Sequence, residues 1–183
     1  MTAAIDSFKE SSFSLKNRLL RLVWGITCFV FFRFTPTTFH GWRAWCLRCF
    51  GAKLGRGVHI YPGVKIWAPW NLECADEVGI GNGATIYNQG KITLGYRAII
   101  SQGVHLCSGT HDYTLPGHPL ITKPINVGAS AWIAAEAFVH PGVTLGEGTV
   151  IGARSVVTKN MPAWMVCSGF PCMPIKPREM KDV

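Results

Sequence analysis

From Leu54 onward the chain repeats itself every six residues. Hexads open at Leu54, Ile60, Ile66, Leu72, Ile80, Ile86, Leu94, Ile100, Leu106, Val127, Ile133, Val139, Leu145 and Ile151, and all fourteen openers are aliphatic. The fifth position is Val, Ala, Thr or Ser in eleven of them, the exceptions being Trp70, Asp76 and Gly90, and Gly recurs at second and fourth positions. This period predicts an all-β fold, a parallel β-solenoid in which each hexad supplies a short strand and a corner and three hexads close a triangular coil. The openers would fill a narrow prism, small fifth-position side chains would sit beside them, and Gly or Asn would take the positive-φ corners. Residues eighteen apart are expected to stack, with their backbones paired from coil to coil and the two open ends capped.

Two slips in the period, at Val78-Gly79 and Ile92-Thr93, read as bulges or displaced corners. A longer break, residues 112–126, reads as a loop inserted at a corner directly after His111. Solenoids tolerate such insertions because only loop-closure entropy opposes them, and such loops commonly carry function. The expected organisation is therefore a helical, aromatic segment over residues 1–53, the solenoid over 54–166 with its loop, and a Pro-rich tail over 167–183. The first and last of these are placed to cap the ends.

A length of 183 residues fits one domain, and 48% hydrophobic against 15% charged residues excludes a disordered chain. The net charge of +8 is local. Up to His59 nine Lys/Arg face two Asp/Glu, whereas from Ile60 onward nine face eight. Eleven of the twenty-one aromatic residues lie in that same basic third. The residues from Leu15 to Phe34 read as a helix ended by Pro36. Its uncharged stretch, Leu22 to Phe32, would rise about 16 Å, half of what a bilayer demands, so it is not expected to span. Nor does a small-residue cleavage site follow, which argues against an export signal.

The favoured reading is peripheral membrane contact through residues 15–50. Trp24, Phe29, Phe31 and Phe32 would enter the interface, while Arg18, Arg21, Arg33, Arg43 and Arg48 would meet lipid phosphates. The alternative is that these aromatics pack against the rest of the protein or a sister subunit. Nucleic acid is not expected as a partner, since no recognition motif accompanies the charge. Seven cysteines, an odd number without a regular framework, point to a reducing cytoplasm, and Cys46-x-x-Cys49 reads as two small apolar positions of a helix.

The stretch from Gly148 through Ile151-Gly152-Ala153-Arg154-Ser155-Val156-Val157-Thr158-Lys159 to Pro162, followed by Gly169-Phe170-Pro171-Cys172, resembles the last coil and G-x-P-[AC] signature of the hexapeptide-repeat acyltransferases. These are left-handed parallel β-helices. With Leu106-Cys107-Ser108-Gly109-Thr110-His111-Asp112-Tyr113 and the basic lead-in, the chain is most similar to sugar O-acetyltransferases of the colanic-acid-biosynthesis type. The resemblance implies a homotrimer, acetyl-CoA in a groove between neighbouring solenoids, a saccharide acceptor that is free or lipid-linked, and a role in surface-polysaccharide synthesis. It places the enzyme in the cytoplasm, on the inner face of the plasma membrane where the acceptor is lipid-borne.

The resemblance also assigns roles. His111 falls where the family has its catalytic histidine, and the chemistry asks for one: a sugar hydroxyl attacks a thioester only as a base within reach takes its proton. Asp112 is a secondary candidate for orienting that ring, which would need a bend, because neighbours on an extended segment face opposite ways. Asn88 matches an acceptor-contacting asparagine, with a corner asparagine as its plainer reading. Ala135 and Ala153, eighteen apart, match small residues against which pantetheine lies; Trp132 matches an aromatic flanking the groove; Thr158 and Lys159 match the family's V-T-K at a cofactor phosphate. Met173 stands where the family often has a cation, leaving Lys176 or Arg178 to replace it. No metal is expected. The rival functions are a γ-carbonic-anhydrase-like zinc hydratase, which needs a tightly spaced pair of imidazoles that His105, His111 and His118 do not make, and a nonenzymatic membrane-associated scaffold.

Overall fold

Short strands, all but the last of two or three residues, wind into three parallel faces in the computed structural model, which describes residues 11–180. The first face stacks Lys53–Leu54, Leu72–Cys74, Ile92–Leu94, Ile125–Val127 and Thr144–Leu145. The second stacks His59–Ile60, Gly79–Ile80, Ile99–Ile100, Trp132–Ile133, Val150–Ile151 and Met165–Gly169. The third stacks Lys65–Ile66, Thr85–Tyr87, His105–Cys107, Phe138–Val139 and Val156–Val157. Six parallel strands on one face make about six turns of a β-solenoid, the expected fold. The interior is a dry aliphatic column, and each fully buried Ile or Leu contributes about 1.5–3 kcal/mol by leaving water.

The coil length corrects one expectation. Only after the insertion do residues eighteen apart stack, as Ile133 does on Ile151 and Val139 on Val157. Before it the coil has twenty residues: Leu54 pairs with Cys74, Ile60 with Ile80 and Ile66 with Ile86. The inward opener on the first face is therefore Cys74 rather than Leu72, and the two extra residues enter between Ile66 and Cys74, not at Val78-Gly79. Leu72 and Ile92 hid the shift because they too are aliphatic and fully buried, forming a second inward column with Ile125. With this register the fifth position after Cys74 is buried Val78, and the misfit at Asp76 disappears.

Several positive-φ corners carry charged residues instead of Gly. Glu77 and Arg97, then Glu136 and Arg154, lie at φ between 54° and 60° and pair coil to coil at 2.6 and 2.7 Å. Exposed pairs of this kind contribute about 0–1 kcal/mol. They give Arg154 a partner at its positive-φ corner.

One end is closed by two helices. Helix α1, Leu15–Thr27, begins at Ser14, whose hydroxyl accepts from the Asn17 amide, and runs on as a π-turn over Cys28–Phe32. Helix α2 spans His40–Cys49. Trp24, Cys28 and Phe32 lie four residues apart on one stripe, and Trp24 and Phe32 join the solenoid core. The Trp24 indole donates to the Ile66 carbonyl at 2.8 Å. Arg43 is fully buried, its guanidinium donating to the carbonyls of Ile60, Pro36 and Thr37 and to Thr35 Oγ1. Trp24, Phe32 and Arg43 thus turn toward the protein, not toward a membrane; Phe29, Phe31, Arg18 and Arg33 remain outside. Arg21 lies over the Trp67 ring, 4.3 Å from its centre. Among the described residues no helix is long and apolar enough to cross a membrane.

At the other end, Met165–Gly169 folds back antiparallel onto Cys172–Pro177. The boundary expected at residue 166 runs through this strand, because Cys167 is fully buried in the last coil. Burial pushes the Cys172 thiol up to about 11 and Cys74 up to about 12, so both act as small apolar side chains.

Candidate active site

The edge between the third and first faces carries the insertion. Its base is set by Ser108, fully buried, whose Oγ accepts from the Gly90 amide at 2.9 Å and whose carbonyl accepts from the Lys123 amide at 2.9 Å. Gly109 follows, and the Gln89 side-chain amide occupies the space that a Cβ there would take. The insertion is not a loop throughout: Gly109–His111 pairs antiparallel with Leu120–Thr122, and regular coil resumes at Ile125. The hairpin therefore begins three residues earlier and closes sooner than the expected 112–126 loop.

His111 ends the outgoing strand. Its Nδ1 lies 2.6 Å from the His118 carbonyl oxygen across the loop. A carbonyl only accepts, so Nδ1 carries the proton and a neutral ring keeps its lone pair on Nε2. In an antiparallel pair directly opposed residues project from the same face. His111 is opposed to Leu120, and Leu120 and Thr122 line a cavity of about 440 Å³ together with Phe13, Asn17, Asn71 and Gln89. A larger cavity of about 550 Å³ lies between α1 and the third face, lined by Arg21, Arg33, Lys65 and Trp67 but by no residue of the hairpin. The smaller one is the candidate acceptor site because hairpin residues line it, among them Leu120, the residue opposed to His111.

Two sequence assignments do not fit this geometry. The Asp112 carboxylate accepts from the Thr114 hydroxyl and amide, which hold it below the usual carboxylate range. It points into its own turn, and the orienting role predicted for it falls to the His118 carbonyl. Asn88 is fully buried, with Oδ1 accepting from the Ala68 amide at 3.0 Å and Nδ2 donating to the Ala68 carbonyl at 2.6 Å. It braces two coils with no surface left for an acceptor, and its φ is not among the positive ones. Asn71 and Gln89, which line the cavity instead, were not singled out in the sequence; each is one polar residue in a corner without a motif.

The candidate cofactor residues fall on different parts of the prism. Thr158 and Lys159 are exposed on the hairpin's own edge, one turn beyond His140. Ala135 and Ala153 stack on the edge between the second and third faces, where the Arg154 amide donates to the Ala135 carbonyl at 2.9 Å. Trp132 stands outward on the second face between Ile99 and Val150, its indole donating to Ser101 Oγ at 2.9 Å. Within one chain His111 and the two alanines belong to separate edges. Of the cations considered for the place of Met173, Arg178 is engaged, donating to the carbonyls of Ser130 and Gly148. Lys176 is exposed on the last strand, paired with Val166. Among the described residues no three His, Cys, Asp or Glu side chains converge as a metal site would require.

Comparison with known proteins agrees with this architecture. Residues 124–159 match the family described as bacterial transferase hexapeptide (six repeats). The chain is 42% identical over 159 residues to the putative colanic acid biosynthesis acetyltransferase WcaF of Escherichia coli, covering 87% of each. It is 32% identical over 126 residues to the galactoside O-acetyltransferase of the same organism, of which it spans 57%. A solved galactoside acetyltransferase in complex with coenzyme A superposes with a TM-score of 0.81 at 26% identity, covering 91% of this chain and 84% of that one. A hexapeptide-repeat acetyltransferase from Vibrio cholerae, complexed with acetyl coenzyme A, shares the fold with a TM-score of 0.82 at 20% identity, covering 91% of each.

Proposed function

This chain belongs to the family of bacterial hexapeptide-repeat acetyltransferases, and from that premise we propose that it transfers an acetyl group from acetyl-CoA to a hydroxyl of a saccharide, with His111 as general base. The observation that carries this reading is the His111–His118 contact, which leaves Nε2 as the basic nitrogen of a ring standing on the cavity face of the hairpin. As the sugar oxygen attacks the thioester carbonyl carbon, Nε2 takes the hydroxyl proton. The carbonyl oxygen becomes an oxyanion, best stabilised by backbone N–H groups of a corner. Collapse expels the CoA sulfur, which takes the proton back from His111, so the products are the O-acetyl ester and free CoA thiol. No acyl-enzyme is needed.

The homotrimer is part of the proposal. The separation of Ala135 and Ala153 from His111 supports a site assembled between copies, in which one chain offers the small-residue groove and its neighbour the base. Trp132 would flank the pantetheine arm, and Thr158, Lys159 and Lys176 would meet cofactor phosphates. The acceptor would enter the cavity at Asn17, Asn71 and Gln89, whose amides suit sugar hydroxyls. Because Phe13 and Asn17 belong to the helical cap, a lipid-linked saccharide at the cytoplasmic membrane face is within reach. The proposal includes a part in surface-polysaccharide synthesis, supported by the likeness to the putative colanic acid biosynthesis acetyltransferase WcaF.

The test is thiol release from acetyl-CoA with a panel of saccharide acceptors, the ester then being located by NMR. His111→Ala should lose about 100- to 10,000-fold in turnover while binding CoA as before. Unchanged turnover would remove His111 from the mechanism.

A further inference from the structure

The outward side of α1 runs against the rule for a helix on a protein surface, where the face opposite the core is polar. Opposite the Trp24–Phe32 stripe stand Leu15, Leu19, Leu22, Ile26, Phe29 and Val30, each leaving more than half of its surface to solvent. The apolar field continues onto Trp42 and Trp45, stacked at 5.1 Å and exposed, with the Trp42 indole donating to the Phe31 carbonyl. Around it lie the exposed cations Lys16, Arg18 and Arg33. Between Ser11 and Leu72 there are nine Lys/Arg and no Asp or Glu.

We propose that this face is an interfacial anchor that seats the protein on an anionic phospholipid bilayer, with α1 and its π-turn lying in the membrane plane. Charge complementarity selects the occupant. A bilayer supplies phosphates for the flanking cations and acyl chains for the leucine field, and exposed tryptophans suit the boundary between them. A second copy of the chain supplies little to pair with this face, because Glu73, Asp76, Glu77 and Glu136 already hold cations of their own chain. Two such faces brought together would set like charges against each other. The anchor stands apart from the acetyl-transfer reading, since none of its exposed apolar residues or flanking cations lines the acceptor cavity.

Flotation of the full chain with phosphatidylcholine vesicles, with and without phosphatidylglycerol, tests it. The wild type should float with the anionic vesicles and far less with the neutral ones. Leu22→Asn/Ile26→Asn should lower partition at least about tenfold, two apolar side chains being withdrawn from the interface. Arg18→Glu/Arg33→Glu should abolish the preference for phosphatidylglycerol, and its chemistry leaves the apolar face intact should the first variant fold poorly. Thermal unfolding of both should match the wild type. Wild type that stays with the soluble fraction, or variants that float as well as the parent, would overturn the proposal. So would an assembly larger than a trimer that Leu22→Asn/Ile26→Asn breaks apart without any vesicle binding, which would assign the face to another copy.

Discussion

Along the second face of the solenoid Ile60, Ile80, Ile100, Ile133 and Ile151 point inward and are dry, whereas along α1 the side turned away from the core carries Leu15, Leu19, Leu22 and Ile26. Both regions are rich in aliphatic side chains, yet only the first spends them on its own fold. In the solenoid every coil repeats the same inward column, so its stability is the sum of near-identical layers. In the cap, attachment rests on individual contacts of different kinds, among them Trp24, Phe32, Cys46 and Leu47 in the core, the indole bond to Ile66, and the guanidinium of Arg43 donating to the Ile60 carbonyl. The rest of its apolar surface does nothing for the isolated chain. Apolar content by itself therefore says little about a segment's role; what matters is whether its buried and exposed stripes match the needs of folding.

The sharpest test of that contrast compares two truncations. Ile133→Ala removes buried methylenes from a column sealed above by Ile151 and below by Ile100, and should cost about 2–5 kcal/mol, cavity included. Leu22→Ala should fall within about 0.5 kcal/mol of the parent, because that side chain touches no core. Chemical denaturation of the two variants measures both. Comparable losses would break the comparison and mean that the outer face of α1 is covered in solution.

This difference also explains what could be read from residues alone. The hexad openers point one way only, so the solenoid, its strands and its insertion were legible in the sequence. Coil length was not, because Leu72 and Ile92 supply aliphatic residues at the spacing of a regular hexad while two more residues per turn pass beside them. In α1 and its π-turn the inward stripe could not be told from the outward one, both being apolar; the indole bond to Ile66 selects Trp24, and Phe32 packs edge-on against that ring. At the site, His111 is proposed on the strength of its neighbours Ser108 to Tyr113. The group that orients it is a backbone carbonyl seven residues on, which no residue type announces. Asn88 was misassigned for a related reason, as an amide bracing a buried corner and an amide facing a ligand look alike in a motif.

Asn88 offers the next test, on the border between folding and function. Asn88→Ala would leave the Ala68 amide buried without its partner and remove one of the two bonds to the Ala68 carbonyl, which keeps the Asn71 amide, a cost of about 1–3 kcal/mol. The expected readout is a lower thermal midpoint with the acceptor KM of the folded enzyme unchanged. A raised KM at an unchanged midpoint would return Asn88 to the acceptor site.

The smallest effect concerns a flaw in the solenoid's outer surface. His105 lies on the third face between Tyr87 and Phe138, with ring centres 6.2 and 4.8 Å away, and its buried Nε2 has no hydrogen-bond partner among the described residues. Burial first, and the positive Lys65 second, lower its pKa from the ordinary value of about 6.5. As pH falls through that value the unfolded ring takes up a proton that the folded ring refuses until lower pH. Over that window the unfolded state binds more protons and stability declines with acidity. His105→Phe would extend the aromatic row and remove the orphaned nitrogen, a gain of about 1 kcal/mol at neutral pH, or about 2–4 °C in the midpoint. The gain should widen between pH 6.5 and the lower folded pKa, because the phenyl ring has no proton to refuse. A difference between the two proteins that stays constant on acidification would show that His105 is solvated in the assembled enzyme, and that this face, unlike the aliphatic interior, is rearranged when copies associate.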